Sequence, residues 1–231
     1  MTTQFYASGA GDRLVDADLL PPVVQALLAH EERMLDSISA GIDVLVEVGS
    51  MSGLHLEWAV RRGLGYVGVD VVSRYVAEGR ARLADRALPA DRYRFALADA
   101  EELPAVPLPP GRAVALFPFN SFGNMARPRA VLTALAGSGL PFAISTYRTD
   151  RDASRRRREY YDACGYGGLR VTEDADGVRF RNDEGLDTVA YHPSRLAEWF
   201  RAAGLAAEPV EFGGFGLFYV GAPTGTPLAP A

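Results

Sequence analysis

The stretch from Val44 to Ala59, Val-Leu-Val-Glu-Val-Gly-Ser-Met-Ser-Gly-Leu-His-Leu-Glu-Trp-Ala, constrains the fold more than any other part of the chain. An apolar run this short, ending in glycine and passing directly into a helical pattern, reads as strand, tight turn and helix. A second apolar run, Tyr66 to Val69, follows Gly63 and Gly65 and closes on Asp70, 23 positions after Glu47. That is the spacing of a nucleotide-binding βαβ unit.

The rest of the chain continues the alternation. Residues 1–40 are patterned as helix, with Pro21 and Pro22 where a helix would begin, and form a helical cap ahead of the first strand. Ser52 is the expected N-cap of the first crossover helix and Ser73 that of the second, which runs to about Ala87. Strands are expected at Tyr93–Ala98, Ala113–Pro118 and Pro141–Thr146, with a helix over about 127–136. The arginine run Arg155 to Arg158 reads as the solvated face of a helix over 152–164. From about 166 to 191 the pattern turns to short β-like pieces broken by Asp176-Gly177 and Glu184-Gly185, a hairpin inserted in the series and placed to act as a lid. His192-Pro193-Ser194 opens a further helix, and Gly213-Gly214 marks a terminal antiparallel hairpin. The expectation is one α/β domain over 1–222, a three-layer Rossmann-like sandwich. Its seven-stranded sheet is mostly parallel with one antiparallel edge strand, and a disordered tail follows at 223–231.

Composition removes several function classes. The net charge of −5 gives no reason to expect nucleic acid or an anionic membrane as partner. All 24 basic residues are arginine, so neither a Schiff-base lysine nor a Walker-type lysine can come from this chain. Cys164 is alone, which rules out an intrachain disulfide, and His30, His55 and His192 are too scattered for a zinc site. No apolar run approaches a membrane span and the N-terminus has no signal-peptide pattern, so a cytoplasmic protein is expected.

The centre of Gly49-Ser-Met-Ser-Gly53 separates the rival motifs. A hydrolase nucleophile elbow needs serine where Met51 stands. A dinucleotide fingerprint needs glycine at 51 and 54, where the sequence has Met51 and Leu54. With Glu47, Gly49 and Gly53, the stretch resembles motif I of the class I S-adenosylmethionine-dependent methyltransferases, with methionine in place of the middle glycine. Asp70 at the end of the second strand, Asp99-Ala100 after the third and Phe117 to Asn124 after the fourth match that family in order, and the resemblance covers about residues 40–221.

The resemblance implies S-adenosylmethionine as cofactor and no metal. The cofactor would lie against Glu47, Gly49, Ser50, Met51, Gly53, Asp70, Val71, Asp99, Ala100, Phe117 and Asn120. Substrate would meet Tyr6, Phe119, Asn120, Ser121 and Asn124. If the acceptor needs a base, the candidates are His192, His55 and Tyr147. The partner implied is a small-molecule acceptor, methylated on nitrogen or oxygen, and a homodimer is compatible with this reading. Alanine- and arginine-rich usage associates the chain with bacterial secondary metabolism. Two other classes remain open: a protein that binds the cofactor without methylating, as a cyclase or auxiliary subunit, and an NAD-dependent oxidoreductase.

Overall fold

The computed structural model describes residues 2–225. Five parallel strands, β1 (Val44–Val48), β2 (Gly65–Asp70), β3 (Tyr93–Leu97), β4 (Ala113–Phe117) and β5 (Phe142–Tyr147), are joined by the reversed strand β10 (Gly216–Pro223) and by β9 (Leu205–Phe212). Their order is β3-β2-β1-β4-β5-β10-β9, with β10 antiparallel to both of its neighbours near one edge. Gly213 and Gly214 both have φ 62°, the left-handed pair that a tight antiparallel hairpin demands.

Alternation along the strands divides the core in two. Leu45, Tyr66, Phe95, Leu116 and Phe218 pack towards α2 (Pro22–Ile38), α3 (Leu56–Arg61) and α4 (Ser73–Asp85). Val46, Val67, Ala115, Phe117 and Ile144 pack on the other face against α5 (Pro128–Ser138) and α7 (Pro193–Ala202). Glu47 follows Val46, so its side chain points to the α2–α3 face.

Three local expectations are corrected. Ser52 does not cap α3: residues 51–54 form a turn closed by Gly53 N–H to Ser50 O at 2.8 Å, and the helix starts only after His55. Ser73 is the first residue of α4 rather than its cap. The arginine run lies in α6 (Arg151–Ala163), but Arg157 is 1% exposed, because it shares a buried stripe with Ala153, Tyr160 and Tyr161.

The insert is a separate three-stranded antiparallel sheet, β6 (Arg170–Glu173), β7 (Gly177–Arg181) and β8 (Asp187–Tyr191). Ahead of the sheet lie α1 (Thr2–Ala7), a 3-10 helix at Ala10–Leu14, and α2. Pro223 still belongs to β10, and Thr224 donates to Gly204 O at 2.8 Å; of the tail expected at 223–231, residues 226–231 lie outside the described residues. Among the described residues no helix is long and apolar enough to cross a membrane.

Candidate functional site

Strand order reverses between β1 and β4, and a crevice opens beyond their carboxyl ends, where open α/β sheets take ligands. The cavity and its mouth together hold about 1030 Å³ of empty space, open solvent included. Its floor is the loops after β1 to β4. Tyr6, Leu14 and Val15 from the N-terminal segment roof it, and Tyr160, Tyr161, Leu186 and Thr188 wall it.

Asp70 joins two of the floor loops. It is 7% exposed; Oδ2 accepts the Met51 N–H and Oδ1 the Val72 N–H, both at 2.8 Å. Burial raises its pKa above the usual 3.8, against the lowering effect of those main-chain bonds. Gly49 has φ 74°, and a Cβ there would lie 2.8 Å from Ser121 Cβ, so the turn needs a residue without a side chain. Asp99 caps the 3-10 helix Ala100–Ala105, accepting the Glu101 N–H at 3.0 Å. Ala100, the first residue of that helix, has an N–H that the helix does not use.

Backbone strain gathers at this cavity. Four described non-glycine residues have positive φ: Met51 (48°), Ala87 (49°), Phe119 (44°) and Asn120 (60°), and all but Ala87 line the cavity. Such residues persist where the surroundings over-determine them, and they cluster at functional sites. Phe119 N–H donates to Glu31 Oε2 at 3.0 Å, and Asn120 N–H to Ser145 O at 2.9 Å. The Asn120 amide accepts from Thr146 Oγ1 at 2.6 Å and donates to Thr188 Oγ1 and Val189 O. Those side-chain bonds also fix β8 to the floor of the cavity.

The structure brings Gly49, Met51, Asp70, Val71, Asp99 and Ala100 to the cavity. It brings Tyr6, Phe119, Asn120, Ser121, Asn124 and Tyr147 to the same cavity. Glu47, Ser50, Gly53 and Phe117, expected at the cofactor, do not line the cavity. Phe117 is packed edge-on to Phe122 in the core, and the Gly53 carbonyl accepts from Arg82. Ser50 is fully buried, its hydroxyl donating to Met51 O.

Glu47 and His55 belong to a buried cluster beneath the floor. His55 Nδ1 is 2.6 Å from Glu47 Oε1 and its Nε2 3.0 Å from Glu31 Oε1, while the Tyr66 hydroxyl donates to Glu47 Oε2. Burial would lower the His55 pKa, but the two carboxylates outweigh it and raise it to about 10. A protonated imidazole walled off from the cavity is no base for a ligand there. His192 is also away from the cavity, with Nδ1 3.0 Å from Thr149 Oγ1 and Nε2 3.2 Å from Asp174 O, where it ties α7 to the β6–β7 turn. Of the three expected bases only Tyr147 lines the cavity, and burial pushes its hydroxyl pKa well above the usual 10.

Neither protein-family models nor curated protein sequences give a match to this chain. Solved structures do match it, at low identity. The 1,6-didemethyltoxoflavin-N1-methyltransferase of Burkholderia thailandensis, with 1,6-didemethyltoxoflavin and S-adenosylhomocysteine bound, is 18% identical over 86% of this chain and 78% of its own, with TM-score 0.56. The magnesium protoporphyrin IX methyltransferase of Synechocystis PCC 6803, with S-adenosylhomocysteine bound, is 12% identical over 96% and 97%, with TM-score 0.60. The [4+2]-cyclase SpnF is 16% identical over 84% and 81%, with TM-score 0.53.

The chain has the class I S-adenosylmethionine-dependent methyltransferase fold. The site of this methyltransferase fold also includes residues that the motif left out. Glu31 continues the buried stripe Val24, Leu27, Glu31, Leu35 of α2, a carboxylate at a core position. Arg157, Tyr160 and Tyr161 lie three and four positions apart on α6, a spacing visible in the sequence beneath the arginine run.

Proposed function

We propose that the protein is an S-adenosylmethionine-dependent methyltransferase acting on a nitrogen or oxygen of a small metabolite. The observation that carries this reading is Asp70. It is a buried carboxylate at the end of β2, on the cavity, and it clamps the turn after β1 through Met51 N–H. With about four acceptor positions on a carboxylate, it keeps acceptor capacity for a ribose hydroxyl beyond its main-chain bonds. Asp99 and the unused Ala100 N–H suit the edge of an adenine, and the side chains of Met51 and Leu54 fill the place where a dinucleotide's pyrophosphate would have to approach.

The cofactor supplies a methyl group already activated on a sulfonium, so the protein's part is positioning, which can provide roughly 7 to 11 kcal/mol of barrier reduction. The strained Phe119–Asn120 turn lines the cavity and is held from three sides, by Glu31, Ser145 and Thr188. Tyr6, Phe119, Tyr147 and Tyr160 make the acceptor's surroundings aromatic and water-excluding. With neither His55 nor His192 on the cavity, the acceptor must arrive nucleophilic, as a neutral amine or an anion.

The experiment is incubation with S-adenosylmethionine and a panel of amines, phenols and carboxylates, reading S-adenosylhomocysteine release. Turnover of at least one acceptor is expected. Tight cofactor binding without turnover across the panel would instead support the non-methylating reading. A thermal shift with NAD but none with S-adenosylmethionine would replace both.

A further inference from the structure

Arg157 is buried to 1% exposure behind the aromatic wall of the cavity. Its Nε donates to the Tyr161 hydroxyl at 2.9 Å, Nη1 to Val178 O at 3.0 Å and Nη2 to Thr188 Oγ1 at 3.0 Å. Its guanidinium carbon lies 4.7 Å from the centre of the Phe180 ring, 4.9 Å from that of Tyr147 and 5.5 Å from that of Tyr161. Every one of these partners is neutral, and among the described residues no carboxylate is within ion-pair distance. A buried cation without an anion is costly, and ring faces and neutral oxygens offset only part of that cost.

The hydrogen bonds around Arg157 show where an anion would be held. A hydroxyl can accept twice and donate once. Thr188 Oγ1 already accepts from Arg157 and from Asn120 Nδ2, both at 3.0 Å, so its proton is all it has left to offer. The orientation of Asn120 is fixed, because its Oδ1 accepts from Thr146 and its Nδ2 donates to Val189 O as well. The Tyr161 hydroxyl accepts from Arg157 and donates to none of the described groups. Both residues line the cavity, and both hydroxyls are polarised by the same guanidinium.

We infer that Tyr161 and Thr188 form a two-donor clasp for an anionic oxygen of the acceptor, a carboxylate or a phenolate, with Arg157 behind them as its buried counter-charge. Calling the ligand an acceptor rests on the methyltransferase reading; the selection of an anion does not. Arg157 acts through the two hydroxyls and is a positioning residue. A neutral ligand of the same shape would leave the cation uncompensated, so the pocket selects by charge. An acceptor bound in this way brings its own electron-rich oxygen, which agrees with a cavity that has no imidazole base.

The test is calorimetric titration of the full-length protein, with and without S-adenosylhomocysteine. The probes are benzoate against benzamide, and para-nitrophenolate against nitrobenzene. At least one anion is expected to bind about tenfold or more tighter than its neutral counterpart, the scale of a charge-assisted bond. The pair that shows the difference tells carboxylate from phenolate. Tyr161→Phe, which deletes only the hydroxyl, should collapse that ratio while S-adenosylhomocysteine affinity is retained. Arg157→Gln should collapse it too, and Arg157→Lys should restore part of it, which a purely structural role would not do. Equal affinity within both pairs, no binding of either anion, or an unchanged ratio in Tyr161→Phe overturns the clasp. Failure to bind S-adenosylhomocysteine overturns the cofactor reading alone, since the ratio is also measured without it.

Discussion

The main-chain N–H of Met51 donates to Asp70 Oδ2 at 2.8 Å, so the residue that ends β2 also holds the turn after β1. With Val72 N–H on Oδ1, one carboxylate sets the spacing of two loops on the cavity floor. That double use explains how a methionine keeps the glycine-like turn: at φ 48° the backbone is strained, and the bond to Asp70 contributes to holding it there.

Replacing Asp70 by asparagine leaves one acceptor oxygen where two are in use and turns an NH2 group towards an N–H donor. S-adenosylmethionine affinity should fall by about 1 to 3 kcal/mol, the range for charge-assisted bonds. Because burial raises the Asp70 pKa, wild-type affinity should also decline on acidification at a higher pH than an ordinary carboxylate would dictate. Calorimetry from pH 7 downward checks both. Unchanged affinity in the variant would remove Asp70 from the ribose role.

Met51→Gly separates folding from binding. The left-handed conformation costs an L-residue roughly 1 to 2 kcal/mol, whereas glycine adopts it freely but gives back about 0.5 to 1 kcal/mol in unfolded-chain entropy. Urea unfolding should therefore show a variant as stable as the wild type or up to about 1.5 kcal/mol more so. Its S-adenosylhomocysteine affinity should fall, because the Met51 side chain lines the cavity. A large loss of stability would mean that its packing outweighs the strain.

The Glu31–His55–Glu47 cluster predicts an alkaline weakness. The folded-state pKa of His55, about 10, is raised above an unfolded value near 6.5, so the contribution is fully present below pH 6.5 and is lost as pH rises through 10. The slope is at most about 1.4 kcal/mol per pH unit. Urea midpoints at pH 6, 8 and 10 should fall steadily in the wild type. The triple variant Glu31→Gln, His55→Gln, Glu47→Gln should show a flatter profile; equal slopes would place the loss elsewhere. His55→Gln alone strands two buried carboxylates and should cost about 3 to 5 kcal/mol at pH 6.

The same residues show how much the sequence revealed. Strands β1 to β5 and the terminal hairpin were legible because each combines a short apolar run with glycine or proline punctuation, and their order placed Asp70, Asp99 and the Phe119–Asn124 segment on one cavity. Glu47 was legible as a motif position but not as a side chain: the strand's period of two turns it, with Leu45, towards α2. His55 follows it under the floor, since the partner that fixes the imidazole, Glu31, comes from a helix read only as a cap. Arg157 was hidden by its neighbours, because Arg155, Arg156 and Arg158 set the local composition while the apolar stripe carrying Arg157 recurs only every three or four residues. Where the insert would dock was not readable, as its contact to the floor runs through Asn120 and Thr188, 68 positions apart.

The roof of the cavity gives the last prediction. Asp12 Oδ1 accepts from the Tyr75 hydroxyl at 2.5 Å and from Arg74 Nη2 at 2.8 Å, pinning the N-terminal segment beside Asp70's loop. On the far side, Asn124 Nδ2 donates to the Tyr6 hydroxyl at 2.9 Å and the Tyr160 hydroxyl to Leu14 O at 2.6 Å. A ligand that leaves through this roof must first open some of these bonds. Asp12→Ala removes the partner of a buried hydroxyl and of a guanidinium, a loss of about 1 to 2 kcal/mol at the latch. If the roof gates exit, stopped-flow release of S-adenosylhomocysteine should quicken by about 5- to 30-fold, with a smaller effect on the association rate. A release rate equal to that of the wild type would mean that ligands pass elsewhere, through the open mouth beside the exposed side chain of Val71.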